Sequence, residues 1–171
     1  DKENFISLSG KGRVRHWRLE KSILQIRKSK PIEGQEVTAV VAGTGQAYFT
    51  GHVNGAVKRW GSGRNGPTAY TRKGETGVEV LALSDNGQLL AAAFSDHVIR
   101  IWDVSSNALV QTIRGKLTDV WSLAVAPNQT SMIMGTGDAA IHVWNLETGS
   151  VLKTLTEHKR PIGVLTFSPD G

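Results

Sequence analysis

Short runs in which β-branched and aliphatic residues nearly alternate with polar ones recur along the 171-residue chain, separated by clusters of Gly, Asn, Asp and Pro. A period of two predicts strands with one buried face, and the intervening clusters carry turn chemistry. Laid over one another, the runs form a unit of four strands, a to d. Strand a reads EVTAVVA (36–42), VEVLALS (78–84), VWSLAVA (120–126) and IGVLTFS (162–168). Turn residues follow each copy, with Asn86-Gly87 and Asp170-Gly171 as hairpin dipeptides. Strand b reads AYFTG (47–51), LLAAAF (89–94) and MIMGT (132–136), whose small residues would let neighbouring sheets approach closely. Strand c is RVRHW (13–17), AVKRW (56–60), VIRIW (98–102) and AIHVW (140–144). Strand d is SILQI (22–26), ALVQTI (108–113) and SVLKTL (150–155). Residues 20–28, EKSILQIRK, have helix-favouring composition but fall in phase with the later d strands, so the repeat predicts strand there.

Two landmarks keep time along these runs. Trp17, Trp60, Trp102 and Trp144 follow one another at 43, 42 and 42 residues, and the small residues Ala42, Ser84, Ala126 and Ser168 recur every 42. A unit of that length with four short strands is a β-propeller blade. The predicted fold is all-β, with about four blades' worth of four-stranded antiparallel sheets. A partial blade (1–31, strands b to d, opening at FISLS, 5–9) precedes blades at 32–74, 75–116 and 117–158, and 159–171 supplies the first strand of another. Three opening strands and one closing strand would complete a four-bladed ring, the lower limit of the architecture. A hairpin dipeptide with no strand after it favours an excerpt of a larger propeller.

The dipeptide context of two repeats carries a family resemblance. Ile101-Trp102-Asp103 has Asp96 six positions before its tryptophan, and Val143-Trp144-Asn145 has Asp138 at the same offset. These residues resemble a WD40-repeat propeller, and the resemblance spans essentially the whole chain. It implies that an Asp between strands b and c accepts hydrogen bonds from a His in the d-to-a loop and from nearby backbone. It also implies that a Ser or Thr on strand b links that network to the strand-c Trp. The blade of Asp138 has Thr136 and Trp144, but Lys116 stands where the family has its His. The blade of Asp96 has Phe94 and Gly74 at the comparable places, while Asn54 and Lys11 replace the Asp in the two preceding blades. His158, after Glu157, is the one loop His in position. Blades with so partial a polar network are expected to cohere mainly through apolar packing.

Composition narrows the chemistry. Apolar residues make up 39% of the chain and Gly contributes 19 positions, as expected for many short strands and turns. With no cysteine there is no disulfide, thiolate chemistry or Cys-ligated zinc, which is compatible with a reducing compartment; a cytoplasmic or nuclear location is the expectation. No apolar run approaches the roughly 20 residues of a membrane span. Asp1 begins inside a blade, so an upstream targeting segment is left open. GSGRNG (61–66) matches a dinucleotide-binding glycine pattern, but Pro67 and a strand follow where a helix should, and GTGDAA (135–140) fails likewise before IHVW. Histidines at 16, 52, 97, 142 and 158 show no metal-ligand spacing. Asn128-Gln129-Thr130 is a glycosylation sequon without meaning in an intracellular propeller. No active site and no cofactor are predicted.

The surface is where function is expected. The d-to-a connections carry Lys28, Lys30, Arg72, Lys73, Arg114, Lys116, Lys159 and Arg160, eight of twenty basic residues in a chain of net charge +5. Such a rim steers acidic peptides, phosphoproteins or nucleic acid toward it, although Glu33, Glu36, Glu75, Asp119 and Glu157 lie close enough to offset it. Trp121 falls out of phase with the other tryptophans, near the start of strand a, with Glu79 and Val37 at the equivalent places. It reads either as an affinity anchor on this rim or as packing for its own blade. The leading expectation is a non-catalytic scaffold that binds other proteins or peptides of acidic character, with no small-molecule substrate. The alternatives are RNA or anionic-surface binding through the basic rim, and a regulatory propeller attached to an enzymatic or NTPase domain outside these residues.

Overall fold

The computed structural model describes residues 2–9, 13–20, 23–31, 36–45, 47–61, 67–71, 76–115, 119–168 and 170. Among them, fifteen strands form four antiparallel sheets and there is no helix. The first sheet holds β1 (Lys2–Ser9), β2 (Arg13–Glu20) and β3 (Ile23–Pro31). The second holds β4 (Val37–Ala42), β5 (Tyr48–His52), β6 (Val57–Trp60) and β7 (Thr68–Ala69). The third holds β8 (Val78–Leu83), β9 (Leu89–Phe94), β10 (Val98–Asp103) and β11 (Leu109–Arg114). The fourth holds β12 (Val120–Val125), β13 (Ser131–Thr136), β14 (Ile141–Asn145) and β15 (Ser150–Leu155). Every sheet is a meander in which consecutive strands pair, so only hairpin turns are needed to connect it. Within the segment of helix-favouring composition, Glu20 ends β2 and residues 23–28 belong to β3.

Sheet-on-sheet stacking explains the unusual sequence of β9. Its six residues, LLAAAF, are buried almost throughout, because both faces of the third sheet are covered. Leu90, Ala92 and Phe94 point into one apolar cluster with Phe49 and Val57 of the second sheet and Trp102 of their own. Ala91 and Ala93 point the other way, into a cluster with Val120, Leu123, Met132, Met134 and Trp144 of the fourth. A strand covered on both sides loses the apolar–polar alternation of a one-sided sheet. Burying each Leu, Ile, Met or Phe in these clusters contributes roughly 1.5–3 kcal/mol. Burial decreases outward: β15 is exposed along nearly its whole length and carries Lys153.

The first strands of successive sheets, β4, β8 and β12, lie side by side, and β1 lies against β4. Small residues on the second strand permit this approach. A Cβ added to Gly51 would collide with the Val78 side chain, and one added to Gly135 would fall 2.6 Å from the Ile162 Cβ. Ala93 takes the corresponding place between them, in the same cluster as Val120. Hydroxyls add cross-links: Thr38 donates to the Val78 carbonyl, and Ser122 donates to the Ile162 carbonyl at 2.9 Å. Ile162 is thus seated on β13 although 162–168, predicted as a strand, forms no ladder: no following strand b lies within these residues to pair with it. The ring is not closed, and β1 has no strand on its free edge among the described residues.

Register exposes one slip in the repeat. Leu83 pairs with Leu90 and Val125 with Met132, but Ala42 pairs with Tyr48, so the first hairpin of the second sheet is one residue shorter than its counterparts. The backbone equivalents of Ser84 and Ala126 are therefore Gly43 and not Ala42: Gly43, Ser84 and Ala126 each donate to the carbonyl that opens the next strand's ladder. The four-residue landmark keeps its interval of 42 while the structure behind it shifts.

Gly51→Ala would place its methyl carbon 2.8 Å from the Val78 Cβ. Overpacking of that kind is expected to lower unfolding stability by about 1–3 kcal/mol. Urea denaturation checks it, and an unchanged midpoint would show that the sheets are spaced more widely.

Candidate functional site: the rim at the start of the inner strands

Each inner strand begins with the same irregularity. Val37 pairs with His52 and Ala39 with Gly51, Val78 pairs with Phe94 and Val80 with Ala93, and Val120 pairs with Thr136 and Ser122 with Gly135. One residue is left over each time: Thr38, Glu79 and Trp121. A bulge of this kind re-aims the extra side chain. Val37, Val78 and Val120 stay buried while Thr38, Glu79 and Trp121 are exposed. Trp121 is 52% exposed, against 3% for Trp102 and 6% for Trp144. The sequence alignment that set Val37 beside Glu79 and Trp121 is thus corrected to Thr38, for the same reason that Ala42 gives way to Gly43.

The neighbouring turns complete the rim. Gly137 donates its N–H to the Asp119 carbonyl at 2.9 Å, and a Cβ on Gly137 would come within 3.3 Å of the Trp121 indole nitrogen. Trp121 therefore lies along a glycine that leaves it room. Burial pushes the Glu79 carboxyl above the usual carboxylate range, Asp119 adds to the shift, and His97 opposes it. Asn54, Asp96 and Asp138 each fold the turn between the second and third strands, accepting the N–H of Ala56, Val98 and Ala140 respectively. Asn54 does the work of the aspartates here, because the turn needs an oxygen and not a charge. The residues that follow, Gly55, His97 and Ala139, all take positive φ. Asp96 also pairs with Arg100 at 3.7 Å, whose guanidinium sits 4.4 Å over the Phe94 ring.

The third-strand tryptophans are anchored in different ways. The Trp17 indole donates to Ser7 and the Trp60 indole to Thr50, both at 2.8 Å. Thr50 in turn lies 2.9 Å from Nε2 of the buried His52. Burial, with help from Lys58, lowers the His52 pKa to about 4. The residues ten before Trp102 and Trp144 are Ala92 and Met134, which offer no oxygen. Trp144 Nε1 is buried with no partner among the described residues. Asp103 and Asn145, just after the tryptophans, cap the opposite rim. Asp103 accepts the N–H and hydroxyl of both Ser105 and Ser106, which hold its pKa down to about 2, and Asn145 accepts from Glu147 and Thr148.

A family model described as WD domain, G-beta repeat matches residues 66–103 and 107–145. These two stretches are WD40 repeats. Each matched stretch begins just before the outer strand of one sheet, β7 or β11, and ends on the third strand of the next, so a WD40 sequence repeat straddles two sheets and ties them together. No curated protein matches the chain. WD40 repeats generally mediate protein–protein contacts as scaffolds.

The expected polar network is only partly assembled. Thr136 bonds within its own turn, 2.5 Å from the Asp138 carboxylate and 2.9 Å from the Ala140 carbonyl, and does not reach Trp144. Its side chain points toward the turn from two residues beyond the position that faces the indole. The linkage anticipated there occurs instead at Thr50 and Trp60. His158 is exposed, with no hydrogen bond among the described residues. Of the basic positions, Arg114, Lys159 and Arg160 are exposed and Lys28 and Lys30 lie on β3. Arg72, Lys73 and Lys116, with Lys11, Gly74 and the 62–66 turn, fall outside the described residues. Sequence reading missed His52, whose signal was its place on strand b, eight residues before Trp60 as Thr136 is eight before Trp144.

With a folded pKa of about 4 against 6.5 unfolded, His52 favours the fold fully above pH 6.5. That contribution is lost as pH falls toward 4, where the unfolded chain takes up the proton first. His52→Phe, which copies Phe94 at the equivalent position, is expected to flatten the fall in melting temperature between pH 6.5 and 4. An equally steep fall in the variant would assign the acid sensitivity elsewhere.

Proposed function

We propose that the chain is a non-catalytic docking module that holds a segment of another protein on the rim where Thr38, Glu79 and Trp121 emerge. The exposure of Trp121 carries this reading. Tryptophan is highly buried on average, and a half-exposed indole held by a backbone bulge is a large, rigid contact surface whose burial by a partner gives affinity at little entropic cost. WD40 repeats elsewhere serve such contacts, which agrees with a rim built on the inner strands. Arg114, Lys159 and Arg160 supply exposed cations at the strand ends and in the segment after β15, suited to acidic residues flanking the docked segment. Nucleic acid suits the rim less well, because Glu79 and Asp119 place the charge of phosphate beside the indole.

Affinity capture from cell extract with the wild type, Trp121→Ala and Glu147→Ala tests the proposal, Glu147 being exposed on the opposite rim. Proteins held by the wild type and by Glu147→Ala are expected to be lost with Trp121→Ala, while its stability changes by no more than about 0.5 kcal/mol, as for a surface substitution. Retention of every partner by Trp121→Ala, or release of the captured material by nuclease alone, would refute it.

A further inference from the structure

The chemistry around Trp121 also indicates what the docked segment brings to it. Glu79 occupies the bulge of β8, the inner strand beside β12, and Asp119 is two residues before Trp121. Asp119 and the Trp121 indole nitrogen both lie against Gly137, and Glu79 of the neighbouring sheet is close enough to Asp119 to feel its charge. Neither carboxylate is ion-paired among the described residues, where Asp96 forms its salt bridge with Arg100. Asp119 lies near enough to add to the upward shift at Glu79. The group with cationic capacity facing Glu79 is His97, fixed at positive φ in the adjoining turn. Bringing like charges together on a surface that has room for a ligand is unfavourable until a cation arrives, and the indole face attracts cations too.

Resting on the docking reading above, we infer that the bound protein segment anchors through an arginine whose guanidinium stacks on the Trp121 indole and donates to Glu79 and Asp119. A planar guanidinium suits the place better than an ammonium. It stacks on an aromatic face while its N–H groups diverge toward two acceptors, whereas lysine offers a compact, strongly hydrated charge. The indole nitrogen lies against Gly137, and the side chain stays half-exposed for the ligand. The expected specificity is for one arginine at a fixed position in an otherwise permissive sequence, with acidic neighbours tolerated toward Arg114 and Lys159.

Selection of a displayed library of random dodecapeptides on immobilised protein tests this. The wild type is expected to enrich peptides sharing one arginine, which Trp121→Ala no longer retains. The double variant Glu79→Gln/Asp119→Asn, folded by circular dichroism, should bind the selected peptides about tenfold more weakly, and citrulline in place of the arginine should cost about the same, the scale of a lost charge-assisted contact. Peptides that need Trp121 but share an acidic or apolar anchor, or arginine peptides indifferent to the double variant, would overturn the inference and leave the docking reading standing. No Trp121-dependent peptide at all would overturn both.

Discussion

The structure depends on how closely the backbone of one sheet can approach the next. At Gly51, Ala93 and Gly135 the second strand presents little or no side chain, and Val78, Val120 and Ile162 fill the space from the adjoining inner strand. Larger residues there would separate the sheets and open the two apolar clusters that run between them. With the approach preserved, β9 is covered on both faces and its LLAAAF sequence becomes a core strand instead of an exposed apolar surface. The hydroxyl links from Thr38 and Ser122 then fix the carbonyls of Val78 and Ile162, so register passes from sheet to sheet.

That stacking also makes the rim. Because β4, β8 and β12 run side by side, the single extra residue at the start of each lands next to the extra residue of its neighbour. Buried valines before each bulge hold the skeleton constant, and the bulged position is free to vary: Thr38 is spent on an internal hydrogen bond, while Glu79 and Trp121 face outward. Cohesion and recognition are thus assigned to adjacent residues of one strand. The polar groups beneath the rim mostly shape turns, and the hydrogen-bonded chain of Trp60, Thr50 and His52 rigidifies one sheet only.

Much of this was legible from the residues, for identifiable reasons. Indoles at intervals of 42 or 43 mark the third strand because each sheet repeats the same path, and small residues in the second strand announced the close approach. The one-residue deletion in the turn after Ala42 was hidden, since the small Ala42 keeps the interval of 42 to Ser84 while Gly43 takes the backbone role of Ser84 and Ala126. That slip moved Val37 into the place of Thr38. Trp121 stood out as off-phase, but only pairing could show that a bulge turns it outward. The link from Thr136 to Trp144 failed because a strand alternates sides and turns: the residue facing the indole is ten positions before it, where Met134 stands and Thr50 stands in the second sheet.

Methyl and α-proton Overhauser contacts test the central claim directly, because they report the distance between backbones of neighbouring sheets. The account predicts strong contacts from the Gly51 α-protons to the Val78 methyls and from the Gly135 α-protons to the Ile162 methyls, with Ala93 reaching Val120. Their absence, with each sheet showing contacts only to itself, would contradict it.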